Sequence, residues 1–285
     1  MLLTVVDYGV GNLRSIAKSI EKANSDSKLN YLVKVSSDID DVKKSDKIVL
    51  PGQGSFKACK NGINNIKGLK EELDESILVK KKPIYGICAG MQLFATKGYE
   101  EEETLGLNWI PGEVVKLDLG STEFKIPHMG WNELKIENDS KVFKDVVNKN
   151  HAYFIHSYEF IPKDKNVISA TTAYSSNIVC SIEKENIFGT QFHPEKSDKT
   201  GLKIIQNFSG LVVVDEAYTE FSNSPSFIDS IKKYSNLIVC QTFSKGQGMA
   251  GARLGMTFAN SELVAYMNKI KAPYNLNSCL LYTSD

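Results

Sequence analysis

The sequence lacks several features that would place it outside the soluble globular proteins. No apolar run approaches the ~18 residues that a membrane span needs, and the amino terminus, MLLTVVDYGVGNL, has no basic segment before a small-residue cleavage site. Excess charge is also missing, because 34 Lys plus Arg balance 34 Asp plus Glu. That balance argues against a nucleic-acid binder that depends on a large positive field. The five cysteines include no CxxC pair, which disfavours a disulfide framework or a zinc site. These absences predict a soluble, cytoplasmic protein without a metal centre.

The 285 residues suggest about two domains at ~150 residues per domain. In the first half, short β-branched runs alternate with helical stretches: strands at 2–7, 31–35, 47–50 and 83–87, and helices at 13–23 and 71–81. This alternation predicts a mostly parallel sheet flanked by helices. The strand-rich segment 113–191 predicts an antiparallel extension, which a helix at 199–208 follows. The pattern restarts with strands at 211–214 and 237–240 around a helix at 226–234, so we expect domains at 1–209 and 210–285.

A thiol nucleophile is predicted at residues 86–90, where Gly86-Ile87-Cys88-Ala89-Gly90 has the G-x-C-x-G form of a nucleophile elbow. In an elbow the chain turns sharply from a strand into a helix, and flanking glycines let the backbone pass closely beside an exposed, strained side chain. The N–H groups that begin the helix would favour the thiolate. The alternative is a small buried residue at a strand end, because free cysteines are among the most buried residues.

A base for this thiol is predicted in Gln191-Phe192-His193-Pro194-Glu195. The proline biases His193 toward an extended conformation, in which residues i and i+2 point the same way. We therefore expect Glu195 beside the His193 ring, where it fixes the tautomer. The alternative is a polar loop that enters a helix. Spacing alone also does not decide between His193 and the three other histidines, which are His128, His151 and His156.

An oxyanion site is the third candidate, at Pro51-Gly52-Gln53-Gly54 directly after the strand at 47–50. Two glycines around one residue give a mobile backbone whose N–H can face a developing oxyanion. An ordinary turn between a strand and a helix would have the same composition.

The PGxG turn, the GxCxG elbow and the HPE segment occur in one order, and together they make residues 1–208 resemble the class I, triad-type glutamine amidotransferases. Further segments narrow the resemblance to the glutaminase subunits of imidazole glycerol phosphate synthases: DYGVGNL at 7–13, PHMGWN at 127–132, YFIHSY at 153–158 and QFHPEKS at 191–197. The fold that this implies is α/β, with a mostly parallel sheet.

The resemblance also implies the role of each site residue. Cys88 attacks the glutamine carboxamide and forms a thioester, His193 transfers the proton, and Glu195 orients His193. The backbone N–H groups of Gln53 and Ala89 stabilise the oxyanion. The resemblance assigns glutamine binding to a further set: Gly52, Gly54, Gln92, Glu100, Ser157 and Tyr158. Gln53 stands where the family usually has a small aliphatic residue, and we expect tolerance because only its backbone is used.

Members of this family need no cofactor and work as a heterodimer in histidine biosynthesis. They pass ammonia to a (β/α)₈-barrel cyclase, which makes imidazole glycerol phosphate and aminoimidazole carboxamide ribotide. By the resemblance, a turn faces that partner with four residues: His128, Gly130, Trp131 and Asn132. Two other functions stay open. The chain is a glutaminase subunit of another synthase, or it is a catalytically silent truncated fusion that only binds a partner.

Residues 211–277 resemble a different family, the pyridoxal-phosphate-dependent histidinol-phosphate aminotransferases, through VVVDEAY at 212–218, TFSK at 242–245 and GMAGARLG at 248–255. The resemblance implies a Schiff base on Lys245, a pyridinium partner in Asp215 and a contact from Tyr218 to the ring hydroxyl. It assigns the cofactor phosphate to a third set: Thr242, Ser244 and Arg253. The upstream Gly-rich region and the downstream small domain of that family are missing. We therefore expect an inactive, incomplete fragment of a fold-type I aminotransferase, joined by a deletion or an assembly error between neighbouring genes.

Overall fold

The protein was analysed as a computed structural model that describes residues 1–26, 31–120, 124–209, 212–221, 225–232, 237–252 and 254–270. The chain divides into two compact units, Met1–Ser209 and Gly210–Asp285. No helix within the described ranges has both the length and the apolar character that a membrane span requires.

The first unit is built from fourteen described strands. They are β1 (Leu2–Val6), β2 (Leu32–Ser36), β3 (Lys47–Leu50), β4 (Ile84–Ile87), β5 (Lys97–Gly98), β6 (Thr104–Leu105), β7 (Gly112–Lys116), β8 (His128–Glu133), β9 (Lys135–Ile136), β10 (His151–His156), β11 (Tyr158–Pro162), β12 (Ile168–Tyr174), β13 (Ser176–Lys184) and β14 (Ile187–Thr190). Eight of them form the main sheet in the order β2-β1-β3-β4-β14-β13-β12-β9. The first five of these strands pair in parallel, and the last three extend the sheet in antiparallel fashion. Smaller sheets have the orders β11-β7-β5-β6 and β10-β8.

The helices of this unit are α1 (Leu13–Asp26), α2 (Ile39–Lys44), α3 (Phe56–Asn65), α4 (Leu69–Asp74), α5 (Ala89–Gln92) and α6 (Asp198–Ser209). The predicted helix at 71–81 is replaced by α4 and a π-helical turn at Glu75–Val79. The second predicted strand lies one residue later than expected, at Leu32–Ser36.

Both faces of the main sheet are covered, and this explains why its central strands are apolar throughout. Successive residues of a strand point to opposite faces. Ile48 and Leu50 of β3 therefore join one hydrophobic cluster, together with residues of α3 and α4. Val49 joins a second cluster on the other face, together with residues of α1 and α6. The sheet is thus held between two helical layers, and its strand ends lie at the edge of the unit.

The second unit contains β15 (Val212–Asp215), β16 (Leu237–Thr242), β17 (Gly255–Ala259) and α7 (Ser261–Ile270). β15 and β16 are parallel, and β17 is antiparallel to β16. The helix expected at 226–234 is a 3₁₀ turn at Phe227–Lys232 instead, and residues 233 and 234 lie outside the described residues. The described apolar side chains that are buried in this unit are few: Leu237, Ile238, Val239 and Leu263.

Candidate active site

Cys88 occupies a strained turn between β4 and α5, but its side chain is buried at 9% accessibility, so the expectation of an exposed thiol is wrong. Its backbone has φ 55° and ψ −116°, a conformation that L residues rarely adopt. The flanking glycines are required by close contacts, since a Cβ on Gly90 would lie 2.0 Å from the Leu50 carbonyl oxygen. A Cβ on Gly86 would lie 2.6 Å from the Phe94 ring. α5 has only four residues, so the expected contribution of its dipole to the thiolate is small.

The sheet brings His193 to Cys88 across about a hundred residues of sequence. β14 lies beside β4 in parallel register, with Thr190 opposite Ile87, and the Cys88 N–H donates to the Thr190 carbonyl at 2.7 Å. Because the carboxyl ends of adjacent parallel strands meet at one edge, the segments that follow them lie together. His193 is extended, with φ −96° and ψ 97°.

The imidazole of His193 lies between the thiol and a carboxylate. Its Nδ1 is 2.8 Å from Glu195 Oε1, which leaves Nε2 as the ring nitrogen available to the Cys88 thiol. Burial alone would lower the pKa of His193, but the hydrogen bonds to Cys88 and Glu195, with the charges of both groups, raise it to about 10. The Glu195 side chain is fully buried, and its Oε2 finds no hydrogen-bond partner among the described residues. This arrangement favours a ring that is protonated at Nδ1 and faces the sulfur with Nε2.

The other histidines occupy different environments. His151 is exposed at the start of β10, whereas His128 and His156 are buried. Burial lowers the pKa of His128 to about 4. Burial also lowers the pKa of His156 to about 3, and the backbone hydrogen bond to Tyr158 opposes that effect. Both rings are therefore neutral at physiological pH.

The PGQG turn lies against the elbow. A Cβ on Gly52 would be 2.1 Å from the Gly90 nitrogen, so backbone meets backbone here. Gly54 has φ 107°, which favours glycine, and Gln53 is exposed. Two buried side chains contact carbonyl groups of this loop. The Tyr8 hydroxyl donates to the Pro51 carbonyl, and the Cys59 thiol lies 3.9 Å from the Gln53 carbonyl.

Glu100 and Gln92 both form hydrogen bonds with backbone groups. Glu100 Oε2 accepts a hydrogen bond of 2.7 Å from the Phe56 N–H at the start of α3. Gln92 is buried, and its Nε2 donates to the Tyr158 carbonyl at 3.0 Å. The Ser157 carbonyl accepts from the Leu117 N–H at 2.9 Å.

Gln191 is a site residue that the sequence analysis missed. It is fully buried, and its Nε2 lies 3.6 Å from the Cys88 sulfur. Its Oε1 accepts a hydrogen bond of 2.9 Å from Gln92 Nε2. The position of Gln191 two residues before His193 was the available signal, because alternate residues of an extended segment share a face.

The segment expected as a turn at 128–132 is the strand β8, paired with β10. Alternation along the strand exposes Trp131, which is 53% accessible, and buries His128, which is 2% accessible. His128 stacks on Phe154 and Tyr174. The expectation that His128 faces a partner is therefore wrong, because its ring belongs to the interior. Gly130 and Asn132 are half-buried. The side-chain nitrogen of Asn132, Nδ2, lies 3.4 Å from His128 Nε2 and donates to the Ala173 carbonyl at 2.9 Å.

The expected cofactor residues that the structure describes in the second unit are exposed or half-buried. Asp215 and Lys245 are exposed, and Tyr218 is 60% accessible. Lys245 Nζ lies 5.2 Å above the Tyr218 ring. The Thr242 hydroxyl accepts from the Ser244 N–H at 3.2 Å, and Arg253 lies outside the described residues. A pyridoxal ring would meet water on these side chains instead of the dry walls that cofactor sites have, so the described residues do not fit the group.

Two family models match the chain. The model described as "Glutamine amidotransferase class-I" matches residues 4–210, and the model described as "Aminotransferase class I and II" matches residues 189–284. The two matches overlap at residues 189–210.

Curated relatives cover the first unit. The chain is 59% identical over 211 residues to the "Imidazole glycerol phosphate synthase subunit HisH" of Pelagibacter ubique (strain HTCC1062), which covers 74% of this chain and 100% of the relative. It is 41% identical over 208 residues to the protein of the same name from Cereibacter sphaeroides, which covers 73% of this chain and 98% of the relative.

Solved structures share the fold at low identity. A putative GMP synthase protein from Thermoplasma acidophilum has a TM-score of 0.54 at 20% identity, over 73% of this chain and 92% of that chain. A structure described as a glutamine amidotransferase has a TM-score of 0.53 at 15% identity, over 72% of this chain and 98% of that chain.

Proposed function

Because the chain belongs to the class-I glutamine amidotransferases, and within them to the HisH subunits of imidazole glycerol phosphate synthase, we propose that residues 1–209 hydrolyse glutamine through Cys88, His193 and Glu195. Family membership confirms the predicted resemblance and the predicted α/β fold class. The observation that carries the proposal is the line of sulfur, imidazole and carboxylate, with Nδ1 of His193 held 2.8 Å from Glu195.

The chemistry follows from this line of three groups. The Cys88 sulfur attacks the carboxamide carbon, and the N–H groups of Gln53 and Ala89 stabilise the negative oxygen of the tetrahedral intermediate. His193 Nε2 gives a proton to the leaving nitrogen, so ammonia departs and a thioester remains. His193 then takes a proton from water, which attacks the thioester and releases glutamate and the Cys88 thiol. The net reaction converts glutamine and water to glutamate and ammonia.

Glutamine binding is proposed at the rim of the elbow. The backbone of Gly52 lies against Ala89 and Gly90 of the elbow, and Gln92 is connected to Cys88 through Gln191. We assign Gly54 to the same binding site. Gln92 Oε1 is the atom best suited to accept from the substrate ammonium group, because its Nε2 already donates to Tyr158 and Gln191. Glu100, which accepts from the Phe56 N–H just after the PGQG turn, is proposed to contribute a carboxylate to the site, and Ser157 and Tyr158 are proposed to complete it.

The partner is proposed to be a (β/α)₈ cyclase that receives ammonia and forms imidazole glycerol phosphate and aminoimidazole carboxamide ribotide in histidine biosynthesis. The exposed face of β8 supports this proposal. Trp131 and Met129 are 53% and 62% accessible on the same side of the strand, and exposed aromatic and methionine side chains are enriched at protein interfaces.

The proposal is tested by measuring glutamate release with and without the cyclase. Cys88→Ala should abolish turnover in both conditions, because the thioester forms on the sulfur that this variant lacks. Cys240→Ala is the matched control, since its thiol lies in the second unit and the variant should retain turnover. If Cys88→Ala releases glutamate at the wild-type rate, the assignment of Cys88 as the nucleophile is rejected.

We further propose that the second unit is inert as a transaminase. Three of its candidate cofactor residues, Asp215, Tyr218 and Lys245, are exposed, and it offers three described strands where the family needs a full domain. The test adds pyridoxal phosphate to the full chain and follows the cofactor absorbance. We expect no Schiff-base shift, and a shift that disappears in Lys245→Ala would contradict the proposal.

A further inference from the structure

Gln191 is committed at both ends of its side chain to residues of the active site. It lies in the interior with no accessible surface. Its amide nitrogen is 3.6 Å from the Cys88 sulfur, and its amide oxygen is 2.9 Å from Gln92 Nε2. Its backbone N–H is separately bonded to the Cys180 carbonyl at 2.9 Å, so the backbone of Gln191 is anchored without using the side chain.

The orientation of the Gln191 amide follows from its neighbours. The Tyr158 carbonyl can only accept hydrogen bonds, so Gln92 must present its NH₂ group there, at 3.0 Å. The second hydrogen of that NH₂ group then points to Gln191, whose oxygen must receive it. The NH₂ group of Gln191 is left to face Cys88. The donor at the sulfur is therefore fixed by the network and does not depend on an arbitrary amide assignment.

The same logic extends the network to the exposed strand β8. The Tyr158 carbonyl also accepts from His156 Nδ1 at 2.9 Å, so the unprotonated Nε2 of neutral His156 must accept from His128 Nδ1 at 3.0 Å. His128 Nε2 is then an acceptor, and Asn132 Nδ2 lies 3.4 Å from it. Each donor in this series meets an acceptor, which is the condition for a well-ordered buried network.

We propose that Gln191 positions and polarises the nucleophile: its amide N–H holds the sulfur of Cys88, and its amide oxygen holds Gln92. This inference rests on the proposed glutaminase function. An amide donor stabilises negative charge on sulfur, which develops when His193 takes the thiol proton and again when the thioester breaks. Through its hydrogen bond to Gln92, Gln191 connects the residue proposed to bind glutamine with the Cys88 sulfur that attacks the substrate.

Two substitutions separate the two ends of the side chain. Gln191→Glu keeps an oxygen for Gln92 and replaces the donor at Cys88 by an acceptor, so kcat should fall about 10-fold to 100-fold while KM stays near the wild-type value. Gln191→Met keeps the length but loses both bonds, so kcat should fall and KM should rise. Gln206→Met, on the half-buried side of α6, controls for the loss of a glutamine amide elsewhere.

Alkylation of Cys88 gives a readout that does not require turnover. Iodoacetamide labelling at fixed pH, with the modified peptide identified by mass spectrometry, should be at least several-fold slower in both Gln191 variants than in the wild type. A merely structural role would leave the rate unchanged or raise it by loosening the site.

The possible outcomes distinguish this inference from the glutaminase proposal. One outcome is that Cys88→Ala abolishes turnover while both Gln191 variants keep kcat and the alkylation rate within twofold of the wild type. That outcome would overturn the role of Gln191 and leave the glutaminase proposal intact. A wild-type chain without turnover in the presence of the cyclase would reject the glutaminase. The alkylation rates would then still support or overturn the hydrogen bond to sulfur. If Gln191→Glu does not fold, the alkylation rate of Gln191→Met still tests the donor at the sulfur, because this variant also lacks the amide N–H.

Discussion

Lys47 is a buried cation, and we expect its burial to make the free energy of unfolding depend on pH. It begins β3 with 1% of its surface accessible, and its Nζ donates to the Phe208 carbonyl at 2.5 Å. The rings of Tyr31 and Phe208 lie 5.3 and 5.4 Å from the same nitrogen. Burial lowers the pKa of Lys47 to about 7, and the charge of Asp46 only partly opposes this effect.

The magnitude follows from the difference in pKa between the folded and the unfolded chain. An unfolded lysine titrates near pH 10.4, so the folded value of about 7 corresponds to a penalty on the order of 5 kcal/mol for the charged form. The folded pKa is the lower of the two, so the unfolded chain binds more protons between these values. The penalty is complete below pH 7 and disappears as the pH rises toward 10.4. Over that range the stability contributed by this group rises by about 1.4 kcal/mol per pH unit.

Lys47→Met tests this reasoning, because methionine fills similar space without a charge. The free energy of unfolding of the variant minus that of the wild type should decrease by about 2 kcal/mol between pH 7.5 and pH 9.5. The loss of the bond to Phe208 adds a constant that does not change with pH. Both tryptophans of the chain, Trp109 and Trp131, lie in the Met1–Ser209 unit. Urea unfolding followed by tryptophan fluorescence therefore reports on the unit that contains Lys47.

The control is the exposed Lys18→Met on α1, measured over the same pH series to remove the effect of losing one formal charge. Titrating groups that both proteins share cancel in the difference. A difference between Lys47→Met and the wild type that stays constant from pH 7.5 to pH 9.5 would refute the argument, because it would mean that the folded chain accommodates the ammonium without cost.

Three further predictions follow from single contacts. In Gly201→Ala the new methyl group would lie 1.9 Å from the Pro194 carbonyl, so unfolding in urea should show a loss of about 1–3 kcal/mol, and an unchanged midpoint would contradict this. Glu195→Gln should lower the pKa of His193, because one of the groups that raise it is lost. NMR titration of the ring measures that pKa, and glutamine turnover should fall about 100-fold or more; an unmoved titration would argue against the pair. Trp131→Ala removes an exposed indole and should weaken cyclase binding about tenfold or more in isothermal titration calorimetry, whereas unchanged affinity would place the interface elsewhere.

The strands, the elbow and the proximity of His193 to Glu195 were predictable because each depends on a short stretch of sequence. β-branched runs mark buried strands, paired glycines mark a turn with close backbone contacts, and a proline fixes the conformation of His193. The observed distances agree with that local logic: the Cβ of an alanine has no room at Gly90, and Glu195 lies beside His193.

The site residues that sequence reasoning missed depend on pairings between distant parts of the chain. Gln191 contacts residues 99 and 103 positions away, and no local pattern specifies those partners. The segment around Trp131 was expected as a turn through the family resemblance, and Gly130 in it does have φ 127°. Its pairing with β10 makes it a strand instead. That pairing buries His128, which an interpretation as a surface turn would expose.

The three motifs of the first unit each follow a strand of the main sheet, and those strands are adjacent in the sheet. The PGQG turn follows β3, the elbow follows β4 and the HPE segment follows β14, and these three strands are neighbours in the sheet. Parallel neighbours are about 4.8 Å apart, so the loops at their carboxyl ends fall within about 10 Å of one another. The second unit obeys the same rule in part, because Asp215 and Thr242 end the parallel neighbours β15 and β16. Among the described residues of the second unit, these two strands leave Asp215 exposed and Thr242 half-buried, whereas Cys88 and His193 at the corresponding edge of the first unit are both buried.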